Sequence, residues 1–297
     1  MSSVLKVFMT TPIANDFNKI SPTALLVAYA RQFSNIPYTK EVAELTDAAA
    51  TVKQFGERQQ EQPIVAAALI EARYKVIEQV MARFNGMQIL ELASGLLPRG
   101  MIRSQNPDIT FIESDLSGMI HRKEQLVQQL IGDRSNLHFL EIDATSRPNP
   151  LPLIGYFHSE KTVTILCEGL LMYLTFAEKQ QVCANVREML QTYGGVWITS
   201  DFTTQSGSGQ MRQNDPAMHQ VYQNISRLTG RSFTENQFDN LEHAKQFALE
   251  QGFQVEEFSM LEVINQLNCV SVLGIDLELA KPLLAARPVF ALTLAKF

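Results

Sequence analysis

Carboxylates stand where short apolar runs end in this 297-residue sequence: Glu91 two residues before Ala93-Ser94-Gly95, Asp115 before Leu116, Asp143 before Ala144, and Glu168 before Gly169. If the runs are parallel strands, these acids share the sheet edge beyond the strand carboxyl ends, where open α/β sheets bind ligands. Each acid then has a chemical role and a plain alternative. Asp115 follows the Gly95 turn by about 20 residues, where a carboxylate grips a ribose diol, its two acceptor oxygens matching two hydroxyl donors. Alternatively, Asp115 or Ser117 caps the helix that follows. Asp143 suits the amino group of an adenine, with the Ala144 N–H against a ring nitrogen, but a lone Asp after a strand is also a turn former. Glu168 lies within the apolar stretch Cys167–Leu174. A carboxylate is rarely buried without a partner, which points to a functional role. Together with the ring of Tyr173 it suits a cationic ligand centre.

The turn Ala93-Ser94-Gly95 is built of small residues that let the backbone approach a ligand closely. It lacks the G-x-G-x-x-G pattern of dinucleotide sites; only Gly95 and Gly100 are present. Such a turn suits a ligand without a pyrophosphate, and it reads equally well as a tight strand-to-helix connection. For acid–base work the candidates are Tyr173, Asp201 at the end of a fifth apolar run, and His219. Each also has an ordinary reading as a turn or surface residue.

The elements that must position these residues follow from periodicity. Residues 1–85 read as a helical cap. One helix starts at Ser21-Pro22, an N-cap and first-turn pair, and Pro37 is expected to stop it; another runs from about Gln62 to Arg83. From residue 86 on, strands and helices alternate. Strands are expected at Gln88–Leu92, Ile109–Glu113, Leu137–Ile142, Val163–Cys167, Val196–Asp201, Gln254–Met260 and Pro288–Ala295. Helices are expected between them, at Leu116–Leu130 and Phe176–Leu190 among others. This is an α/β pattern: a seven-stranded, doubly wound, mostly parallel sheet, Rossmann-like, occupying 86–297. Residues 203–251 are long for a connection and open on the polar tract Gln205–Gly209, so they read as a helical lid carrying Arg212, His219, Tyr222 and Arg231, or as a plain cover for the sheet edge.

Composition removes several function classes. A net charge of -6 and a sequence pI of about 5.5 repel a phosphate backbone and an anionic membrane surface, so neither nucleic acid nor membrane is an expected partner. The three cysteines form no C-x-x-C and the five histidines no H-x-x-x-H pair, so neither a disulfide framework nor a metal site is expected. No apolar run approaches a bilayer span, and no basic stretch precedes an apolar one near the start. The expectation is a cytoplasmic protein.

Taken together, these motifs resemble the leucine carboxyl methyltransferase family and its relatives, the bacterial polyketide O-methyltransferases. Thr23-Ala24, Ala28 and Arg31 are similar to T-A-x-x-x-A-x-x-R. Arg73 with Ile77 and Glu78 resembles R-x-x-x-I-D. Glu113, Asp115, Leu116 and Lys123 resemble E-x-D-L followed by lysine, and the loop Leu151–Tyr156 with Gly155 is also similar. Glu168-Gly169-Leu170-Leu171-Met172-Tyr173-Leu174 resembles E-G-L-L-x-Y-L, the most specific element. The chain departs at the first strand end, where L-G-A-G-L-D-T-R is replaced by Leu92-Ala93-Ser94-Gly95-Leu96-Leu97-Pro98-Arg99. The resemblance implies a class I methyltransferase using S-adenosylmethionine (SAM) and releasing S-adenosylhomocysteine (SAH), without a metal. Its acceptor would be the carboxylate or hydroxyl of a small-molecule (polyketide-like) or peptidic substrate. The cofactor residues would be Arg73, which grips the SAM carboxylate, with Glu91, Ala93, Ser94, Gly95, Asp115, Leu116, Asp143, Ala144, Glu168 and Gly169. Two other functions stand beside it: a catalytically silent SAM-binding or regulatory module, motivated by Ala93 and Leu97, and a nicotinamide-dependent reductase, which the absent G-x-G-x-x-G opposes.

Overall fold

The computed structural model describes residues 22–54, 63–147, 149, 155–205, 226, 230–231 and 235–295. Seven strands form one sheet: β1 (Gln88–Leu92), β2 (Thr110–Asp115), β3 (Leu137–Glu141), β4 (Val163–Cys167), β5 (Gly195–Thr199), β6 (Phe253–Phe258) and β7 (Val289–Leu294). Their order is β3-β2-β1-β4-β5-β7-β6. β1 to β5 are parallel, and β7 runs antiparallel between β5 and β6. The chain winds outward in one direction through β1, β2 and β3 and in the other from β4. The order therefore reverses between β1 and β4, and a crevice opens beyond their carboxyl ends.

Every residue of β1 and of β4 is buried. Central parallel strands are covered on both faces, hence their nearly continuous apolar composition. The edge strand β6 instead exposes Gln254, Glu256 and Glu257, charge and polarity that discourage pairing with another chain.

Alternate side chains divide the core between the two faces. Ile89, Phe111, Val196 and Ile198 face α1 (Pro22–Arg31), α4 (Pro63–Phe84) and α6 (Ser117–Ile131). Leu90, Ile112, Ile165 and Trp197 face α7 (Phe176–Tyr193) and α8 (Leu241–Glu250). The other α-helices among the described residues are α2 (Thr39–Leu45), α3 (Ala48–Gln54), α5 (Arg99–Arg103), α9 (Asn268–Leu273) and α10 (Leu277–Ala285). A capping box starts α7: the Thr175 hydroxyl accepts the Glu178 N–H, and the Glu178 carboxylate accepts the Thr175 N–H.

Differences from the sequence expectation have local causes. Ends of β2, β3, β5, β6 and β7 shift by one or two residues, which periodicity does not resolve. α1 ends at Arg31 rather than at Pro37, because the Arg31 carbonyl accepts both the N–H and the hydroxyl of Ser34, closing a turn where the helix would have continued. α4, which falls within the expected cap of residues 1–85, packs along β5 and β7. Within the expected lid, Leu241–Glu250 is a helix against β6. Arg212, His219 and Tyr222 lie outside the described residues, as does most of Leu151–Tyr156.

One buried carboxylate ties the C-terminal helices to α4. Glu71, fully buried, accepts the N–H groups of Asn268 and Cys269 at 2.9 Å each and pairs with Lys75 at 2.8 Å. Burial alone would raise its pKa; the Lys75 ammonium and the two N–H groups outweigh burial and leave it below the usual range. Its stabilisation is therefore present above the ordinary carboxyl pKa and is lost as the pH falls through the lowered one. Glu71→Ala strands two N–H groups and an ammonium and should cost about 3 kcal/mol in denaturant unfolding near neutral pH. A loss below about 1 kcal/mol would contradict this role.

Candidate functional site

The carboxyl ends of β1, β2 and β4 converge with the middle of α4 around a group of buried charges. Arg99, fully buried in the first turn of α5, is the hub. Its Nε lies 2.8 Å from Glu78 on α4, one terminal nitrogen lies 2.5 Å from Glu168 at the end of β4, and the other contacts Glu91 on β1. Its guanidinium also covers the Tyr74 ring, 4.7 Å from the centroid. Glu168 completes the chain of ion pairs by meeting Arg73 Nε at 2.8 Å. Burial opposes ionisation of Glu168, but the guanidinium groups of Arg99, Arg73 and Arg31 prevail and hold its pKa at about 2. Glu91 differs: burial outweighs Arg99 and pushes its pKa up.

Beside this group, the β1 turn is clamped to β2. Both Ala93 (φ 50°) and Gly95 (φ 49°) are left-handed. That conformation suits Gly95 but costs an alanine about 1–2 kcal/mol. Asp115 accepts the Gly95 N–H at 2.9 Å and the Leu116 N–H at 2.8 Å, and the Ser94 N–H donates to the Ser114 carbonyl. Below the turn, buried Lys123 pairs with buried Glu113 and donates to the Ser94 carbonyl at 3.2 Å. Gly100 is required here, because a Cβ would collide with the Glu113 carboxylate.

The site residues expected from sequence thus divide. Arg73, Glu91, Ala93, Ser94, Gly95, Asp115, Leu116, Glu168 and Gly169 gather at the ends of β1, β2 and β4. The alternative in which Asp115 or Ser117 caps α6 does not occur: the N-terminus of α6 has no side-chain cap. Asp143 follows β3, where its Oδ1 accepts both the N–H (2.9 Å) and the hydroxyl (2.7 Å) of Thr145. It thus forms a turn on an exposed residue. Ala144 is buried and its carbonyl accepts from Asn185 at 2.8 Å.

Two of the three acid–base candidates have other partners, and the third, His219, lies outside the described residues. Asp201 is buried, and its carboxylate accepts the N–H groups of Gly169, Leu170 and Leu171 at 2.7, 2.7 and 3.0 Å. It shapes the loop that carries Glu168. The Tyr173 hydroxyl donates to Thr23 at 3.1 Å, joining that loop to α1. Sequence reasoning did not single out Lys179, whose ammonium joins the Leu174 carbonyl to that of Asn236; a lysine inside the apolar face of α7 was the available signal. Nor did it find the hub role of Arg99, which only the fold assembles. Among the described residues no group of three His, Cys, Asp or Glu side chains could hold a metal, and no helix is long and apolar enough to cross a membrane.

Two stability effects follow. The folded-state pKa of Glu168 lies below its unfolded value, so its contribution is complete above about pH 4.3 and declines as the pH falls toward that lowered pKa. Glu168→Gln should lower the unfolding free energy by about 3 kcal/mol at neutral pH, because Arg73 and Arg99 lose their partner. The gap to wild type should narrow below about pH 4, and a gap independent of pH would refute the ion-pair account. Ala93→Gly should raise stability by up to about 1 kcal/mol by relieving the left-handed alanine; unchanged or reduced stability would show that Ala93 carries no strain.

The comparisons with known proteins bear on this edge of the sheet. The family model described as leucine carboxyl methyltransferase matches residues 21–187, more than half of the chain. No curated protein matches the sequence. Among solved structures, a putative methyltransferase from Thermobifida fusca is similar with a TM-score of 0.56 at 16% identity, covering 97% of this chain and 100% of that one. A DUF574 family protein from Streptomyces avermitilis is similar with a TM-score of 0.57 at 13% identity, covering 92% and 97%. With the strand order, the clamped β1 turn and Glu168 in its arginine pairs, the family match leads to one assignment: the chain belongs to the leucine carboxyl methyltransferase family and has the class I SAM-dependent methyltransferase fold.

Proposed function

We propose that the protein is a SAM-dependent O-methyltransferase whose acceptor oxygen belongs to a carboxylate of a small-molecule or peptidic substrate. The observation that carries this reading is the convergence of Arg73, Asp115 and Glu168 at the β1/β4 switch point. Their donor set fits an adenosyl amino acid. Asp115 offers two carboxylate oxygens, each with a lone pair beyond its one N–H bond, to a ribose diol. Arg73, its side chain 17% exposed, is the guanidinium at the rim that can meet the methionyl carboxylate. When bound, SAM supplies a methyl group activated by a positive sulfur.

The chain's own residues align the partners and exclude water. Asp201 and Lys179 hold the Glu168–Leu174 loop, and Tyr173 ties that loop to α1. The carboxylate is favoured over the hydroxyl acceptor by what Asp201 and Tyr173 do. A phenol, with a pKa of about 10, needs a base, whereas a carboxylate is already ionised near neutral pH. Both oxygens of Asp201 are engaged by backbone N–H groups.

Calorimetry should detect binding of SAM and SAH. Asp115→Asn should weaken SAH at least about tenfold, one ribose hydrogen bond to a charged group being worth about 1.5–3 kcal/mol. No binding of either ligand at millimolar concentration would refute the assignment. With isotopically labelled SAM, product from a carboxylic acid acceptor should release labelled methanol in alkali, as an ester does. A label stable to alkali would instead identify a hydroxyl acceptor, and binding without transfer to any oxygen acceptor would identify a silent module.

A further inference from the structure

Lys179 lies in the first turn of α7 and is 1% exposed. Val182, Cys183 and Val186, on the same face of the helix, are buried and apolar. Among the described residues no carboxylate lies within the 4.0 Å of an ion pair from its ammonium. The ammonium donates instead to the Leu174 carbonyl, at the end of the β4 loop, and to the Asn236 carbonyl at 2.8 Å. The rings of Phe176 and Phe238 flank it, with centroids 5.0 and 5.9 Å away.

These two contacts close a ring. From Leu174 the β4 loop runs back to Leu171, whose N–H is held by Asp201 together with those of Gly169 and Leu170. The Asp201 carbonyl accepts the Thr203 N–H at 2.8 Å. Beyond it the chain pairs in parallel with Phe238: the Phe238 N–H donates to the Thr203 carbonyl at 3.1 Å, and the Gln205 N–H donates to the Phe238 carbonyl at 2.7 Å. Phe238 leads back to Asn236 and so to Lys179. Without the ammonium, segment Asn236–Phe238 would keep its pairing with Thr203 and Gln205 and lose its direct tie to the β4 loop.

Methionine would fill this place on α7 without burying a charge. Lysine adds a donor group long enough to reach the carbonyls of two segments that have no ladder partner there. Burial lowers its pKa to about 8, with Asp201, Glu178 and Cys183 opposing. The other charged or titratable groups around it are Arg231, paired with Glu178 at 2.7 Å, and His243 of α8, which packs on Phe176 and Phe238 and pairs with Asp239. Parting the ammonium from its two carbonyls returns a buried charge to water. We propose that Lys179 is a positioning residue that joins segment Asn236–Phe238 to the Glu168–Leu174 loop, so that the two open and close as one body. A ligand at Glu168 is then coupled to the chain that leads out of β5, a step that rests on the reading of the crevice as a methyl-transfer site. Such coupling acts equally in both directions.

The test is native-state hydrogen exchange on the full chain, without ligand, at pH 7 and pH 9. Two sets of amides are followed: Gln205 with Phe238, and Gly169 with Leu170 and Leu171. The folded-state pKa of Lys179 lies below its unfolded value, so raising the pH through this window favours the states in which the amine stays buried. An opening that hydrates it fully should become up to about tenfold rarer in wild type, from pKa values of about 8 when closed and about 10.4 when open. The protection factors of both sets should rise together, at least threefold, and neither should rise in Lys179→Met. Lys179→Gln, equally without a titrating group, takes its place if the methionine variant does not fold. A rise in one set alone would mean that segment and loop open separately. No rise, or the same rise in the variant, would mean that Lys179 is not the contact that parts. Each of these results overturns the proposal. SAH is then added: it should raise protection at Phe238 in wild type and not in Lys179→Met. No rise in wild type that binds SAH, or an equal rise in the variant, overturns the coupling to the crevice. Should wild type bind no SAH, the function reading fails on its own, and the pH comparison still decides the role of Lys179.

Discussion

The carboxylate of Glu168, held between Arg73 and Arg99, is the contact on which the rest of the site depends. Through it α4, α5 and the end of β4 meet, and through Arg99 the same network reaches Glu91 on β1 and Glu78 on α4. In a low-dielectric interior an ionised group persists only when its charge is answered nearby. Here each carboxylate is answered by an arginine from another element. The geometry of the switch point is therefore fixed by charge pairing as well as by apolar packing, and a change in one member is felt by three elements at once.

Around that hub, backbone groups are held by side chains that do not belong to the sheet ladder. Asp115 clamps the β1 turn to β2, Lys123 supports the Ser94 carbonyl, and Asp201 gathers three consecutive N–H groups of the β4 loop. Loops at a sheet edge have no neighbouring strand to satisfy their polar groups, and buried N–H groups require acceptors. Carboxylates placed at strand ends meet that need while keeping oxygen lone pairs available to a ligand. Asp115 combines both properties. Asp201 is given over to the backbone, which makes it a positioning residue for the loop.

Ala93 stands out in this arrangement as a residue at odds with its backbone. Its left-handed φ of 50° is the conformation for which glycine is the ordinary choice. The turn keeps its shape because Ser114, Asp115 and Lys123 over-determine it from below. Strain of this kind collects at sites where a ligand is approached by backbone. At the other side of the crevice, α1 meets the site through the Thr23–Tyr173 contact and through the charge of Arg31 near Glu168.

Periodicity and turn chemistry in the sequence determined the seven strands, the alternation with helices, and the acidic residue near the end of each of the first five strands, because these are local properties of side-chain spacing. The ends of β1 and β4 were legible to the residue, since buried parallel strands are written as unbroken apolar runs. The motif around Glu168 was legible as well, a carboxylate in an apolar stretch being anomalous on its own. Only the tertiary structure decided what each acid does. Asp143 turned to Thr145, Asp201 went to the backbone, and Arg99 became the hub, because pairing between residues 73, 78, 91, 99 and 168 depends on chain segments that meet only when the sheet is wound. A residue's type fixes the charge it carries; its counter-charge is set by which segments fold against it, and that is a property of the whole chain.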